Sequence, residues 1–167
     1  MADELNKQGV KYLFIGKSGA ILLGYPDTTQ HVDLYIPKDR VNAEKLVAAF
    51  DQANFPLSDE ARKEILAGKD LCQLKDGPFD ADVITQPDGI ANFETAWARR
   101  IQEGKFPVAN LKDIINSKKS ANRVKDREGM ARLEAFAREW EKSHVPELLS
   151  AHETVLRNSA ARQDKGE

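Results

Sequence analysis

The sequence is poor in the residues and runs that build disulfide frameworks and membrane spans. Its 167 residues include a single cysteine, Cys72, so no intramolecular disulfide can form. No apolar run approaches the roughly 20 residues that a transmembrane helix needs, and the first residues lack the apolar core of a signal peptide. We therefore expect a cytoplasmic protein from a reducing compartment that has no membrane partner.

The sequence also lacks a strong excess of either charge. It has 25 basic and 27 acidic side chains, which give a formal net charge of -2 and a pI near 6.0. This balance provides no chain-wide electrostatic attraction to nucleic acid, although a local basic groove remains compatible with it. The length suits one domain with a proper hydrophobic core.

The stretch 14–36 carries the pattern that organises the rest of the chain. A β-rich run over 10–15 ends at Gly16, and a second over 32–36 ends at Pro37. Between them, the residues from Gly16 to Gly19 can open a short helix. Free backbone N–H groups and the positive end of the helix dipole at such a turn suit a phosphate.

Asp33 lies inside the second of these strands. Its neighbours Val32 and Leu34 are apolar and point to the opposite face, because side chains alternate along a strand. An acid at this position is either a metal ligand or a solvated carboxylate on an edge strand. The glycine turn before it favours the ligand.

In order and spacing, these residues resemble the nucleotidyltransferase superfamily in its minimal and toxin-type branches. That family has a strand, a glycine turn, a short helix ending in glycine, and a strand bearing Asp-x-Asp. Two positions depart from the family pattern: Lys17 replaces the second glycine of the turn, and His31 replaces the first acid. The resemblance continues downstream and spans about residues 8–137. The matching positions are Gly16, Gly24, Thr29, Asp33, Asp82, Lys118, Arg123 and Asp126.

The resemblance implies an α/β (α+β) fold with a small mixed sheet, flanking helices and a helical C-terminal part. It also implies a site at which Asp33 and Asp82 are catalytic. The metal ligands would be Asp33, Asp82 and His31, and the nucleotide-binding residues would be Gly16, Lys17, Ser18, Lys118 and Arg123.

The implied reaction is transfer of a nucleoside monophosphate from an NTP to an RNA, protein or small hydroxyl acceptor, with Mg²⁺ or Mn²⁺ as cofactor. Because Mg²⁺ prefers oxygen ligands, His31 suggests one metal, Mn²⁺, or a metal-free site that relies on Lys17. The alternative is a catalytically degenerate fold that acts as a binding or regulatory module, related to toxin–antitoxin pairs. Pairing of the C-terminal helices in a homodimer is a further expectation.

Several of these residues keep an ordinary structural interpretation. Asp80 lies two positions from Asp82, so the acid of that strand could be either one. A histidine such as His31 is more often a surface or core residue than a ligand. Arg123 and Asp126 have the i,i+3 spacing of a helical ion pair.

The remaining pattern predicts an alternation of helices and short strands. Gly16-Lys17-Ser18 is not a P-loop, because six residues separate Gly9 from Gly16 where that motif has four. We predict helices over 39–53, 58–67, 93–103, 111–120, 125–143 and 146–160, and strands over 71–75 and 81–85, with 106–108 extended. The predicted division is a domain with its helical tail over 1–143, a C-terminal helix over 144–160 and a disordered tail over 161–167.

Overall fold

The computed structural model describes residues 1–144, together with Glu153 and Leu156. Within that part of the chain, eight helices and a six-stranded mixed sheet form an α/β fold, as predicted. The predicted C-terminal helix over 144–160 and the tail over 161–167 fall almost wholly outside the described residues. None of the described helices is long and apolar enough to cross a membrane.

The helices and strands follow one another closely along the chain. In order they are α1 (Ala2–Lys7), β1 (Leu13–Ile15), α2 (Gly16–Leu22), β2 (His31–Tyr35), α3 (Arg40–Gln52), α4 (Asp59–Leu66), β3 (Leu71–Leu74), β4 (Asp80–Ile84), α5 (Phe93–Ala98), β5 (Ile101–Glu103), β6 (Phe106–Val108), α6 (Leu111–Ala121), α7 (Val124–Glu128) and α8 (Met130–Ser143).

The sheet has the strand order β3-β4-β2-β1-β6-β5. The central strands β1 and β2 are antiparallel, while β2 pairs with β4 in parallel. The strands predicted over 71–75 and 81–85 are present as β3 and β4, an antiparallel pair at one end of the sheet. The register of the parallel pair places Asp33 opposite Asp82, so the two acids meet on neighbouring strands.

The core lies around the central strands and the helices packed on them. Its fully buried large side chains include Tyr12, Leu13, Leu34, Tyr35, Leu46, Phe50, Val83, Val108, Leu111 and Ile114. The apolar side chains of α8 pack on this core, with Leu133 and Trp140 buried and Phe136 packed at its margin.

Gly19 lets α2 pack closely between β1 and α6. A Cβ added at Gly19 would lie 2.8 Å from the carbonyl oxygen of Phe14 and 3.2 Å from Cδ1 of Ile114. Any side chain would therefore push α2 away from the sheet. This close approach sets the position of the helix that follows the glycine turn.

Two predicted helices differ from the structure, and a glycine explains each difference. The helix predicted over 93–103 ends at Ala98, because residues 101–103 pair with 106–108 in a hairpin. Gly104, at φ +55°, forms the turn instead of a helix stop. The helix predicted over 125–143 is divided into α7 and α8 at Gly129.

Candidate functional site

Three side chains predicted as metal ligands converge where β2 and β4 run side by side. The Nε2 atom of His31 lies 2.8 Å from Oδ2 of Asp82 and 3.1 Å from Oδ1 of Asp33. One ligand atom from each residue lies within 4.8 Å of the other two. Asp33 and Asp82 are mostly buried and His31 is partly exposed, so the cluster opens to solvent on the histidine side.

The ambiguity between Asp80 and Asp82 is resolved by register and by side-chain contact. Asp80 pairs with His31 along the backbone but is exposed. Asp82 pairs with Asp33, and its Oδ2 lies 2.8 Å from Nε2 of the His31 imidazole. Asp82 is therefore the member of the cluster, as the resemblance implies, and Asp80 lies outside it.

The turn before α2 is built against Asp33. Gly16 has φ +62°, and a Cβ at this position would lie 2.4 Å from Oδ2 of Asp33. The Ser18 hydroxyl donates to the carbonyl oxygen of Ile15 at 3.0 Å and accepts from the Asp33 amide at 3.1 Å. Ser18 thus joins the turn to β2, and only glycine leaves room for the carboxylate.

A second pair of hydrogen bonds positions His31. The Thr29 hydroxyl accepts from the His31 amide at 3.1 Å and donates to the His31 carbonyl oxygen at 3.2 Å. This local turn orients the first residue of β2. The imidazole then reaches across to Asp82, which is 51 residues away in sequence.

The charges around Asp33 oppose one another. Burial raises the pKa of the Asp33 carboxyl, and the neighbouring Asp82 charge raises it further. His31 and Lys118 act in the opposite direction. Because the pKa of Asp33 is raised overall, an additional positive charge bound beside it would stabilise the ionised carboxylate.

A small pocket of about 70 Å³ lies between α2 and the helices α6, α7 and α8. Lys17, Lys118 and Lys125 line it, together with the acids Asp27 and Asp126. Since Lys118 also contributes to the field at Asp33, the pocket and the cluster belong to one electrostatic region.

The cations of this pocket differ in how firmly they are already paired. Lys17 lies 3.2 Å from Asp27, and Lys118 lies 3.6 Å from Asp126. The Thr28 amide and Lys17 lower the pKa of Asp27. Among the described residues, Lys125 has no ion-pair partner within 4.0 Å.

Arg123 does not line the pocket. Its Nε donates to Oδ2 of Asp126 at 2.7 Å, and Asp126 accepts from the Arg123 amide at 3.2 Å, which caps α7. Both partners therefore have the ordinary helix-entrance role that their spacing allowed. Lys125 was missed because the predicted helix began at that residue, and no sequence signal marked it as part of a pocket.

The donor set at the cluster fits a divalent cation. Neighbouring ligand atoms around a cation at about 2.0–2.2 Å stand about 2.8–3.6 Å apart in octahedral or tetrahedral geometry, and the Nε2–oxygen separations here are 2.8 and 3.1 Å. Two carboxylates supply charge and the imidazole supplies nitrogen. Small side-chain adjustments would allow all three to hold one ion.

Comparison with known proteins assigns the chain to no family. The chain matches no protein-family model, no curated protein and no solved structure.

Proposed function

We propose that this protein binds an NTP with a divalent cation, Mg²⁺ or Mn²⁺, and transfers the nucleoside monophosphate to a hydroxyl acceptor on an RNA, a protein or a small molecule. The observation that carries the proposal is the pairing of Asp33 with Asp82 beside a turn at which only glycine fits. Two facing carboxylates that hold a divalent cation are an arrangement that supports in-line transfer of a phosphoryl group.

Each part of the site has a role in that reaction. Asp33, Asp82 and His31 would hold the cation, which neutralises charge on the phosphates and on the attacking oxygen. Lys118 and Lys125 line the small pocket and would bind the outer phosphates as point charges. The Ser18 hydroxyl holds the turn and Asp33 in fixed relation.

The reaction balances without a further reactant. The acceptor oxygen attacks the α-phosphorus of the NTP, and the bond from that phosphorus to the bridging oxygen of pyrophosphate breaks. The acceptor proton passes to a carboxylate oxygen of the Asp33–Asp82 pair, and pyrophosphate leaves with the bonding electrons. Catalysis consists mainly of positioning and charge neutralisation.

A second candidate function is nucleotide recognition without transfer. It is favoured by the His31 imidazole, which already contacts both carboxylates at hydrogen-bond distance. A protonated imidazole there would balance part of the charge that a metal otherwise balances. A protein of this kind would bind nucleotide but release no pyrophosphate.

Calorimetric titration of the four NTPs with Mg²⁺ or Mn²⁺, followed by an assay for pyrophosphate release, tests both candidates. We expect Asp82→Asn to abolish metal-dependent binding, and Asp80→Asn, a matched change on the same strand outside the cluster, to leave it intact. Binding without pyrophosphate release in the presence of varied acceptors would select the second candidate. If no NTP binds with either metal, both candidates are wrong.

A further inference from the structure

The ligand set differs from an all-carboxylate site because one ligand atom is an imidazole nitrogen instead of a carboxylate oxygen. His31 presents Nε2 toward Asp33 and Asp82, so a bound cation would meet one imidazole nitrogen and two oxygens. Mg²⁺ is a hard ion that prefers oxygen ligands and keeps several waters. Imidazole instead suits first-row transition ions, whose affinities rise from Mn²⁺ through Co²⁺ and fall again to Zn²⁺ after copper.

We propose that this site selects a transition cation of the Mn²⁺, Co²⁺ and Zn²⁺ class over Mg²⁺, and that His31 is the ligand responsible for the selection. The proposal rests on the proposed function for the purpose of the site and narrows its cofactor. Metal binding alone, measured without nucleotide, tests it independently of nucleotidyl transfer.

The backbone around His31 presents the nitrogen for ligation. Thr29 brackets the His31 peptide with two hydrogen bonds, and β2 pairs with β4 from His31 to Tyr35. The imidazole therefore starts from an anchored backbone and lies between the carboxylates before any ion arrives. Little side-chain entropy remains to be lost on ligation.

The small negative charge of the ligand set also favours a transition ion over Mg²⁺. An all-carboxylate site would bring three negative charges to the cation, whereas this one brings two. The positive charge of Lys118, which acts to lower the pKa of Asp33, would reduce the attraction further. Mg²⁺ relies on charge and loses most from this reduction, whereas a transition ion gains a covalent contribution from the nitrogen.

The test is titration of the full chain with Zn²⁺, Co²⁺, Mn²⁺ and Mg²⁺ by calorimetry, in the absence of nucleotide. Visible absorption of the Co²⁺ form reports directly on nitrogen and oxygen ligation. We expect Zn²⁺ and Co²⁺ to bind with one ion per chain and at least 100-fold more tightly than Mg²⁺. The affinity for Mn²⁺ should lie between that for Mg²⁺ and those for Zn²⁺ and Co²⁺, following the order of intrinsic affinities.

Variants at His31 separate the histidine from the rest of the site. His31→Asp should reduce Zn²⁺ affinity at least tenfold and narrow the ratio of Zn²⁺ to Mg²⁺ affinity by the same factor or more. His31→Gln, which keeps a polar side chain without adding charge, should reduce Zn²⁺ affinity and bleach the Co²⁺ spectrum. His144→Gln is the matched control, because His144 bonds to the Trp140 carbonyl oxygen outside the cluster.

Three outcomes would overturn the proposal. One is Mg²⁺ binding as tightly as Zn²⁺ to the native chain. Another is unchanged Zn²⁺ affinity in both His31 variants, with urea denaturation showing that each variant is folded. The last is absence of binding by all four ions. None of these results decides whether NTP binds, so the proposed function would still be judged by its own titration.

Discussion

Substitution of Gly16 by alanine tests the central geometric feature of the site, which is the contact between the turn and Asp33. Gly16 has φ +62°, and an L-residue in this region costs about 1–2 kcal/mol. The added Cβ would also lie 2.4 Å from Oδ2 of Asp33, and overpacking of this kind costs about 1–3 kcal/mol. The total is about 2–5 kcal/mol, a large part of the stability of an ordinary domain.

Gly104→Ala is the matched control for this experiment. Gly104 has a similar backbone angle, φ +55°, but a Cβ there meets nothing within 4 Å. It should therefore show the backbone cost alone. Urea denaturation followed by far-ultraviolet circular dichroism should place the midpoint of Gly16→Ala about 1 M below that of Gly104→Ala, for a slope of about 2 kcal/mol per M.

A double-mutant cycle assigns the additional cost to the carboxylate. Asp33→Ala removes the atoms that the new methyl group would meet, so it should recover about 1–3 kcal/mol in the Gly16→Ala background. Equal losses in Gly16→Ala and Gly104→Ala would refute the reasoning, because the turn would then have room for a side chain. The reasoning would also be refuted if Asp33→Ala recovered none of the stability lost in the Gly16→Ala background.

Two further predictions concern groups outside the cluster. Burial tends to raise the pKa of Asp126, but the hydrogen bond and charge of Arg123 outweigh it and leave the pKa below its ordinary value. Asp126 therefore stabilises the fold above about pH 4 and loses this effect as pH falls through its folded pKa. Asp126→Asn should cost about 1–2 kcal/mol at pH 7, and urea titrations should show this cost decreasing as pH falls below about 4. A cost independent of pH would contradict the assignment. Burial, with Glu64 nearby, raises the pKa of the Cys72 thiol to about 12. A disulfide reagent at pH 8 should therefore label Cys72 only when the protein is unfolded in urea. Labelling of the folded protein at the rate of a free thiol would show that Cys72 is accessible and would contradict this prediction.

The strands that form the site were predictable from local pattern. Apolar residues on both sides of Asp33 and the glycine before α2 are short-range signals, and β2 matches its predicted range within one residue at each end. The identity of the facing acid required the register of β2 on β4, which is a long-range property. From the residues alone, the acid could be either Asp80 or Asp82, and the choice of Asp82 rested on the resemblance.

The errors arose where helical spacing and strand pairing compete. Trp97 and Ile101 are four residues apart, which matches a helix, yet Ile101 pairs with Val108 in a hairpin. Local spacing contains no information about that partner. The role of His31 was likewise undecided, since its contacts are made with a strand that lies far along the chain.

The parallel pairing of β2 with β4 joins residues that are 49 positions apart, as His31 and Asp80 are. Closing a flexible loop of that length costs about 3.5 kcal/mol in chain entropy, apart from a constant term. In the unfolded chain Asp82 is therefore remote from His31 and Asp33, and it meets them only after the crossover has formed. An ion bound by all three would recognise the completed topology, and its concentration would set how much of the chain remains folded under denaturing conditions.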